Sequence, residues 1–371
     1  MKRFLVMCAF AALFCSCDNN SLGTRWSAEK AEEWCSAQGW VKGCDYIPSY
    51  AVNQLEMWQE DTFNPTEIDK ELGWAEDLGF NCMRVFLHHV LWETDSKGLK
   101  DRMNKYLEIS FGHGISTMFV FLDDCWNESY AAGKQPEPKK GVHNSGWVKD
   151  PGILYFGPCG SGCDYAADTA SVVKVLESYV TDVMSSFKHD KRIFAWDLYN
   201  EPGGGQDPNR YWTRSFPLLK DIFTWARKVN PDQPLTAGVW SPKLGEMNVW
   251  QIEHSDILTY HTYESADKHS HMLDTLATYG RPMVCTEYMA RTEGSTFQSV
   301  MPMLKERHVG AINWGLVSGK SNTIFPWETM TSPCRTEEPE LWFHDILRRD
   351  GTPYSEEEVK CIKTLTGKLS E

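Results

Sequence analysis

Two glutamates stand where a carboxyl group can act as an acid or a nucleophile. Glu201 closes the run Arg192-Ile-Phe-Ala-Trp-Asp-Leu-Tyr-Asn-Glu-Pro202, and Glu287 closes Pro282-Met-Val-Cys-Thr-Glu-Tyr288. Each run reads as a buried strand delivering its acid at the C-terminal end, with Pro202 stopping the first. A lone strand-end glutamate is more often a solvated or ion-paired carboxylate. Two of them on separate strand ends form a pair that can protonate a leaving oxygen and hold positive charge at an anomeric carbon, as glycosidic cleavage requires. Arg84, inside the run Asn81-Cys-Met-Arg-Val-Phe-Leu87, is a third candidate, because an unpaired guanidinium within a strand is costly.

The elements that must position these groups alternate along the chain. Strands are predicted at 40–46, 81–87, 115–122, 193–201, 234–240, 257–263, 282–288 and 310–316. Helices are predicted at 27–37, 65–78, 99–112, 166–187, 211–229, 269–279, 295–307, 341–347 and 355–365, the last with Ser355 as cap and Glu358 at its third position. Eight strands separated mostly by helices point to an α/β fold, a single (β/α)₈ TIM barrel, which places Glu201 and Glu287 on the C-terminal rim. A doubly wound sheet would call for a Gly-rich phosphate turn early in the chain; Gly203-Gly-Gly205 follows the middle strand without such spacing. The long stretch from Asp123 to Asp164, after the third strand, is a functional loop on the same face.

Trp196-Asp-Leu-Tyr-Asn-Glu-Pro202 and Cys285-Thr-Glu-Tyr288 resemble the strand-four and strand-seven signatures of glycoside hydrolase clan A, the retaining (β/α)₈ glycosidases that include the family 5 cellulases and mannanases. The resemblance implies Glu201 as acid/base, Glu287 as nucleophile and Asn200 as holder of the substrate 2-hydroxyl. It also implies Arg84 as partner of Glu287, His261 and Tyr263 as the His-x-Tyr of strand six with the tyrosine bonded to the nucleophile, and Trp314 as floor of the catalytic subsite. Strand three departs from the family 5 pattern: no histidine ends it, the chain reads Leu122-Asp-Asp-Cys-Trp126, and His88 and His89 follow strand two instead. Asp124 and Trp126 become candidate substrate contacts, against a capping Asp and a packed Trp. Trp240, Trp147 and Trp327 join Trp126 as candidate sugar platforms among sixteen tryptophans, most of them expected in packing. His269-Ser-His271 is expected to face solvent.

The implied reaction is retaining hydrolysis of β-linked neutral oligo- or polysaccharide, β-mannosidic or β-glucosidic first, with the carboxyl groups about 5 to 5.5 Å apart. A non-catalytic glycan-binding protein on the same scaffold is the alternative. Strict strand alternation puts Asn200 and Glu201 on opposite faces, so a bulge or twist near Asn200 is needed for both to reach one sugar.

With 371 residues and a formal charge of −14, the chain is long enough for a large core and too acidic for nucleic acid as a partner. Residues 1–16 read as a secretory signal, with Lys2 and Arg3 before an apolar run from Phe4 to Phe14. Ser16-Cys17 after that run resembles a lipoprotein box, implying lipidation at Cys17, a tether over 17–26 and a catalytic domain over 27–371. Ordinary cleavage or an uncleaved anchor are alternatives. The expectation is an exported monomer on the outer membrane or cell surface, or in the periplasm, touching membrane only through its lipid. Carbohydrate is the expected partner. No cofactor is called for, and no CxxC pair or HExxH suggests a metal. Cys159 and Cys163 could close a small disulfide loop, while Cys82 and Cys285 read as buried thiols.

Overall fold

In the computed structural model, which describes residues 23–152, 169–204 and 215–369, eight parallel strands form one sheet in the order β5-β4-β3-β2-β1-β8-β7-β6. The strands are β1 (Lys42–Asp45), β2 (Cys82–Phe86), β3 (Ser116–Asp123), β4 (Ile193–Asn200), β5 (Leu235–Thr236), β6 (Leu258–His261), β7 (Met283–Glu287) and β8 (Gly310–Trp314). Every residue of β2, β4 and β8 is buried, because strands covered by side chains within and helices outside have no solvent face. The result is the predicted (β/α)₈ barrel.

Ten helices are described: α1 (Ala28–Ala37), α2 (Gln54–Trp58), α3 (Pro65–Asp77), α4 (His89–Gly112), α5 (Thr169–Phe187), α6 (Phe216–Val229), α7 (Glu246–His254), α8 (Ala266–Ala277), α9 (Phe297–Glu306) and α10 (Glu356–Thr366). Their local logic is ordinary. Ser27 caps α1, Asn64 caps α3 with Pro65 at its start, and α6 turns Leu218, Leu219, Ile222, Phe223 and Ala226 inward. Ser355 caps α10 through the Glu358 amide as predicted, but the Glu358 carboxylate pairs with Arg291 rather than closing a capping box.

Three expectations need correction. Residues 341–347 form no helix: the amides of Phe343, His344 and Leu347 bond to Ile324, Thr323 and Leu316 carbonyls, so long-range partners replace the local ladder. His269 does not face solvent; it is fully buried, with Nε2 2.8 Å from the Tyr260 hydroxyl. The strand expected over 234–240 shrinks to two residues. Asp256 accepts from the Leu235 amide, Ser255 from that of Ala237, and Gln251 donates to the Gly238 carbonyl, so side chains satisfy groups that a ladder would otherwise use.

Where β5 and β6 meet, the sheet therefore has no ladder; the single parallel bridge Val239↔Tyr260, the Asp256 amide on the Leu235 carbonyl and the Thr236 hydroxyl on the Ile257 carbonyl and the Thr259 hydroxyl hold the two edges. The barrel is least closed at this seam.

At the other end of the chain, residues 23–26, expected in the tether, already belong to the packed body. Gly23 bonds the Arg227 carbonyl, Arg25 the Ile252 and Ser255 carbonyls, and Trp26 the Asp256 carboxylate. The signal at 1–16, Cys17, the Cys159 and Cys163 pair and the helix starts at 166–168 and 211–214 lie outside the described residues. No described helix is long and apolar enough to cross a membrane.

The loop after β3 is pinned from β2 and from α2, an element that sequence periodicity misses. Asn53, the cap of α2, donates to the Gln135 side chain and the Gly146 carbonyl, and Gln54 donates to the Val148 carbonyl. Beyond β2, Asp150 accepts from the His89 amide and pairs with the His89 ring.

Candidate active site

β4 and β7 deliver Glu201 and Glu287 to one cleft of about 790 Å³ at the C-terminal rim. One carboxylate oxygen of each, with a nitrogen of His261, lies within 4.8 Å of the others. β4 ends at Asn200, and the left-handed backbone needed to turn both side chains the same way sits one residue later than expected, at Glu201, whose φ is +44°. Asp124 braces that turn. It accepts from the Gly203 amide at 2.6 Å, the Ser215 hydroxyl at 2.8 Å and the Tyr199 hydroxyl at 2.8 Å, while the Gly204 amide bonds the Glu201 carbonyl.

Beneath Glu287 lies Arg84, completely buried. Its Nη1 donates to Glu287 Oε1 at 3.0 Å and Asp45 Oδ1 at 2.7 Å; its Nη2 donates to Asp197 Oδ2 at 2.8 Å and Asn200 Oδ1 at 2.7 Å. The other Glu287 oxygen accepts from the Tyr263 hydroxyl at 2.6 Å. Asn200 is held at both ends, since its amide also donates to Asp123 Oδ1 at 2.8 Å. Asp123 in turn accepts from Trp147 Nε1 at 2.6 Å.

Glu201 has a different setting. Its Oε2 accepts from the Cys125 thiol at 3.2 Å, and its Oε1 lies 2.9 Å from His261 Nδ1. Burial pushes the Glu201 carboxyl above the ordinary glutamate range, against the Cys125 bond and the Arg84 charge. Burial raises Glu287 too, with Glu201 adding to the rise and His261, Arg84 and Tyr263 opposing it. Burial lowers His261 to about 4, so it is neutral near pH 7, and its Nε2 has no hydrogen-bond partner. Of the two acids, Glu287 takes the direct Arg84 and Tyr263 bonds, which favour its ionised form, whereas Glu201 has only the weak Cys125 donor and neutral His261 beside it.

The remaining predicted residues divide. Trp126, Trp240, Trp314, Trp147 and Trp327 all line the cleft, as do His261, Tyr263 and Asn200. Trp126 is 41 % exposed, whereas Trp147 and Trp314 are buried edge-to-face against Phe86 and each other. One substrate-contact expectation is corrected: Asp124 is buried and bonded to the turn after β4. Arg84 pairs with Glu287 as expected, from under the cleft and without lining it. Sequence reading passed over Asp45, Asp197, Asp123 and Cys125. For Asp197 the signal was available, a charge in the middle of an apolar strand.

Among the described residues two clusters bring possible metal ligands together, Glu201 with His261 and Glu287, and His88 with His89 and Asp150. In the second the donors already serve one another. His89 pairs with Asp150 and lies 3.3 Å from the Tyr130 hydroxyl, and His88 Nε2 is 3.0 Å from the Lys149 carbonyl.

Residues 52–320 match the family model for cellulase, glycosyl hydrolase family 5. No curated protein sequence matches. Similar solved structures include the GH5_18 protein of Streptomyces cattleya in complex with GlcNAc (TM-score 0.57, 10 % identity, 89 % of this chain and 81 % of that one). The hyperthermostable endo-1,4-β-D-mannanase of Thermotoga petrophila RKU-1 gives a TM-score of 0.56 at 14 % identity over 89 % of this chain and 100 % of that one. The exo-β-1,4-mannosidase Op5Man5 of Opitutaceae bacterium strain TAV5 gives 0.57 at 15 % identity over 89 % of this chain and 60 % of that one. At these identities the likeness establishes the fold.

Proposed function

The chain belongs to glycosyl hydrolase family 5 and is a glycoside hydrolase, and from that premise we propose that it cleaves β-glycosides with retention, Glu287 acting as nucleophile and Glu201 as acid/base. The observation that carries this reading is the approach of the two carboxylates, oxygens within 4.8 Å, in a cleft walled by tryptophans. A spacing that short leaves no room for a water between the second carboxylate and the anomeric carbon, which an inverting enzyme needs.

In the first step a Glu287 oxygen bonds to the anomeric carbon as the bond to the leaving oxygen breaks, and Glu201 gives that oxygen its proton. Glu201, now a carboxylate, takes a proton from water, whose oxygen displaces Glu287 and restores the starting configuration. Arg84 and Tyr263 position Glu287 and offset its charge before attack. Neutral His261 has one ring nitrogen on Glu201, able to accept from the protonated acid or donate to the carboxylate according to tautomer. Trp314 and the exposed Trp126 supply aromatic faces for sugar C–H groups.

Glu287→Ala is expected to abolish turnover of aryl β-glycosides. Glu201→Gln should cost about 10²–10⁴-fold on poor leaving groups and much less on activated ones, which depart without a proton. The first product anomer, read by NMR, should be β. Wild-type enzyme releasing the α anomer, or variants that lose nothing, would sink the assignment. β-Mannosides and β-glucosides head the panel, followed by xylan and galactan.

A further inference from the structure

The cleft does not stop at the catalytic pair. It continues along the β5/β6 seam, where the sheet lacks a ladder, between α7 and α8. Its wall on α8 carries Lys268, Met272 and Leu276, whose spacing keeps one helical stripe, with Thr275 beside them and Tyr279 just past the helix end. From Lys268 to Leu276 the helical rise makes this wall about 12 Å long. The facing wall on α7 carries Val249 and Ile252.

Two chemistries share this groove. At its head stands His261, whose Nδ1 lies on Glu201 and whose Nε2 is buried without a hydrogen-bond partner; Asn248 Oδ1 on the α7 wall is likewise unpartnered, and Lys268 is paired with Glu264. Down its shaft the walls are apolar apart from Thr275, and Val249 at 45 % and Tyr279 at 43 % are among the few large apolar side chains left exposed in the described residues. Sugar rings carry hydroxyls all round and need polar partners along a subsite; a wall that is aliphatic but for Thr275 and the Tyr279 hydroxyl offers few. A hydrocarbon chain gains from such a wall in proportion to the area covered.

We propose that this groove receives the apolar aglycone of the substrate, so that the enzyme acts on amphiphilic β-glycosides whose sugar occupies the Glu201 and Glu287 cleft and whose alkyl or acyl chain runs between α7 and α8. The inference rests on the glycosidase reading above and names the class of leaving group. It places the chain on the acid/base side, since the groove's head adjoins Glu201 and His261.

The test uses the full chain with methyl, butyl, octyl and dodecyl β-glucosides and β-mannosides below their micellar concentrations. kcat/KM is expected to rise at least about tenfold from methyl to octyl. The exposed substitutions Val249→Asp and Tyr279→Asp should flatten that gradient while leaving the rate on methyl glycosides, whose aglycone is too short to enter the groove, unchanged. A flat gradient in the wild type, or one that survives both substitutions, overturns the groove assignment and leaves the glycosidase reading intact. If no glycoside turns over, the catalytic reading fails, and calorimetric binding of the dodecyl glycosides still decides the groove: tight binding lost in both variants supports it, and absent or unaltered binding overturns it.

Discussion

Arg84 and Arg291 are both buried guanidinium groups, and the difference between their partners separates a working site from a fastening. Arg291 faces one carboxylate. It grips Glu358 through Nε at 2.9 Å and Nη2 at 2.6 Å, and its other bonds go to the Trp342 and Asp345 carbonyls. Charge and donors are matched, and α10 is thereby fixed against the turn after β7. Arg84 faces three carboxylates, Asp45, Asp197 and Glu287, so one positive charge answers up to three negative ones. Burial raises all three acids above their usual range, against the pull of Arg84. Such a cluster is poorly balanced as it stands. It gains when positive charge appears above Glu287, as it does on an anomeric carbon losing its leaving group.

Removing each arginine should break the comparison in opposite ways. Arg84→Met is expected to lower kcat/KM on aryl β-glycosides by about 10²–10³-fold, because Glu287 loses its cationic partner and Asn200 its anchor. Activity within tenfold of wild type would mean that the cluster is structural like the other. Arg291→Met should leave activity per folded molecule unchanged while costing about 3–5 kcal/mol in denaturant unfolding, the penalty of leaving Glu358 buried and unpaired. Pairing it with Glu358→Gln should recover most of that loss. A drop in kcat without a drop in stability would refute the assignment of Arg291 as a fastening.

The contrast also explains what could be read from the chain. β4, β7 and β8 were legible because parallel strands covered on both faces keep uninterrupted apolar runs, and Glu201 and Glu287 were legible as the acids that end two of them. β5 was over-read because Asp256, Ser255 and Gln251, all lying well after it in the chain, take over its hydrogen bonds. Residues 341–347 look helical by composition, yet their amides bond far-off carbonyls. Asp197 could have been flagged as a charge within an apolar strand, but Asp45 acquires meaning only from Arg84, which the fold brings between the two acids. The turn at Glu201 was foreseen from alternation alone, one residue early.

The smallest effect concerns the acid rather than the nucleophile. Cys125 is a buried thiol 3.2 Å from Glu201, and its bond favours the ionised carboxyl, opposing the rise that burial causes. With Glu201 in the proposed role of acid, cleavage needs it protonated, so activity is expected to fall as pH climbs through its pKa. Cys125→Ala removes a donor to the charged form, which raises that pKa further and moves the alkaline limb of kcat/KM to higher pH. A thiol is a weak donor, so the displacement should be less than about one pH unit, equivalent to under about 1.4 kcal/mol. Cys125→Ser, which retains a donor, should bring the limb back toward its original position. If the limb stays put in the alanine variant while kcat falls, Cys125 merely fills space beside Glu201, and the proton on the acid is governed by burial and Arg84 alone.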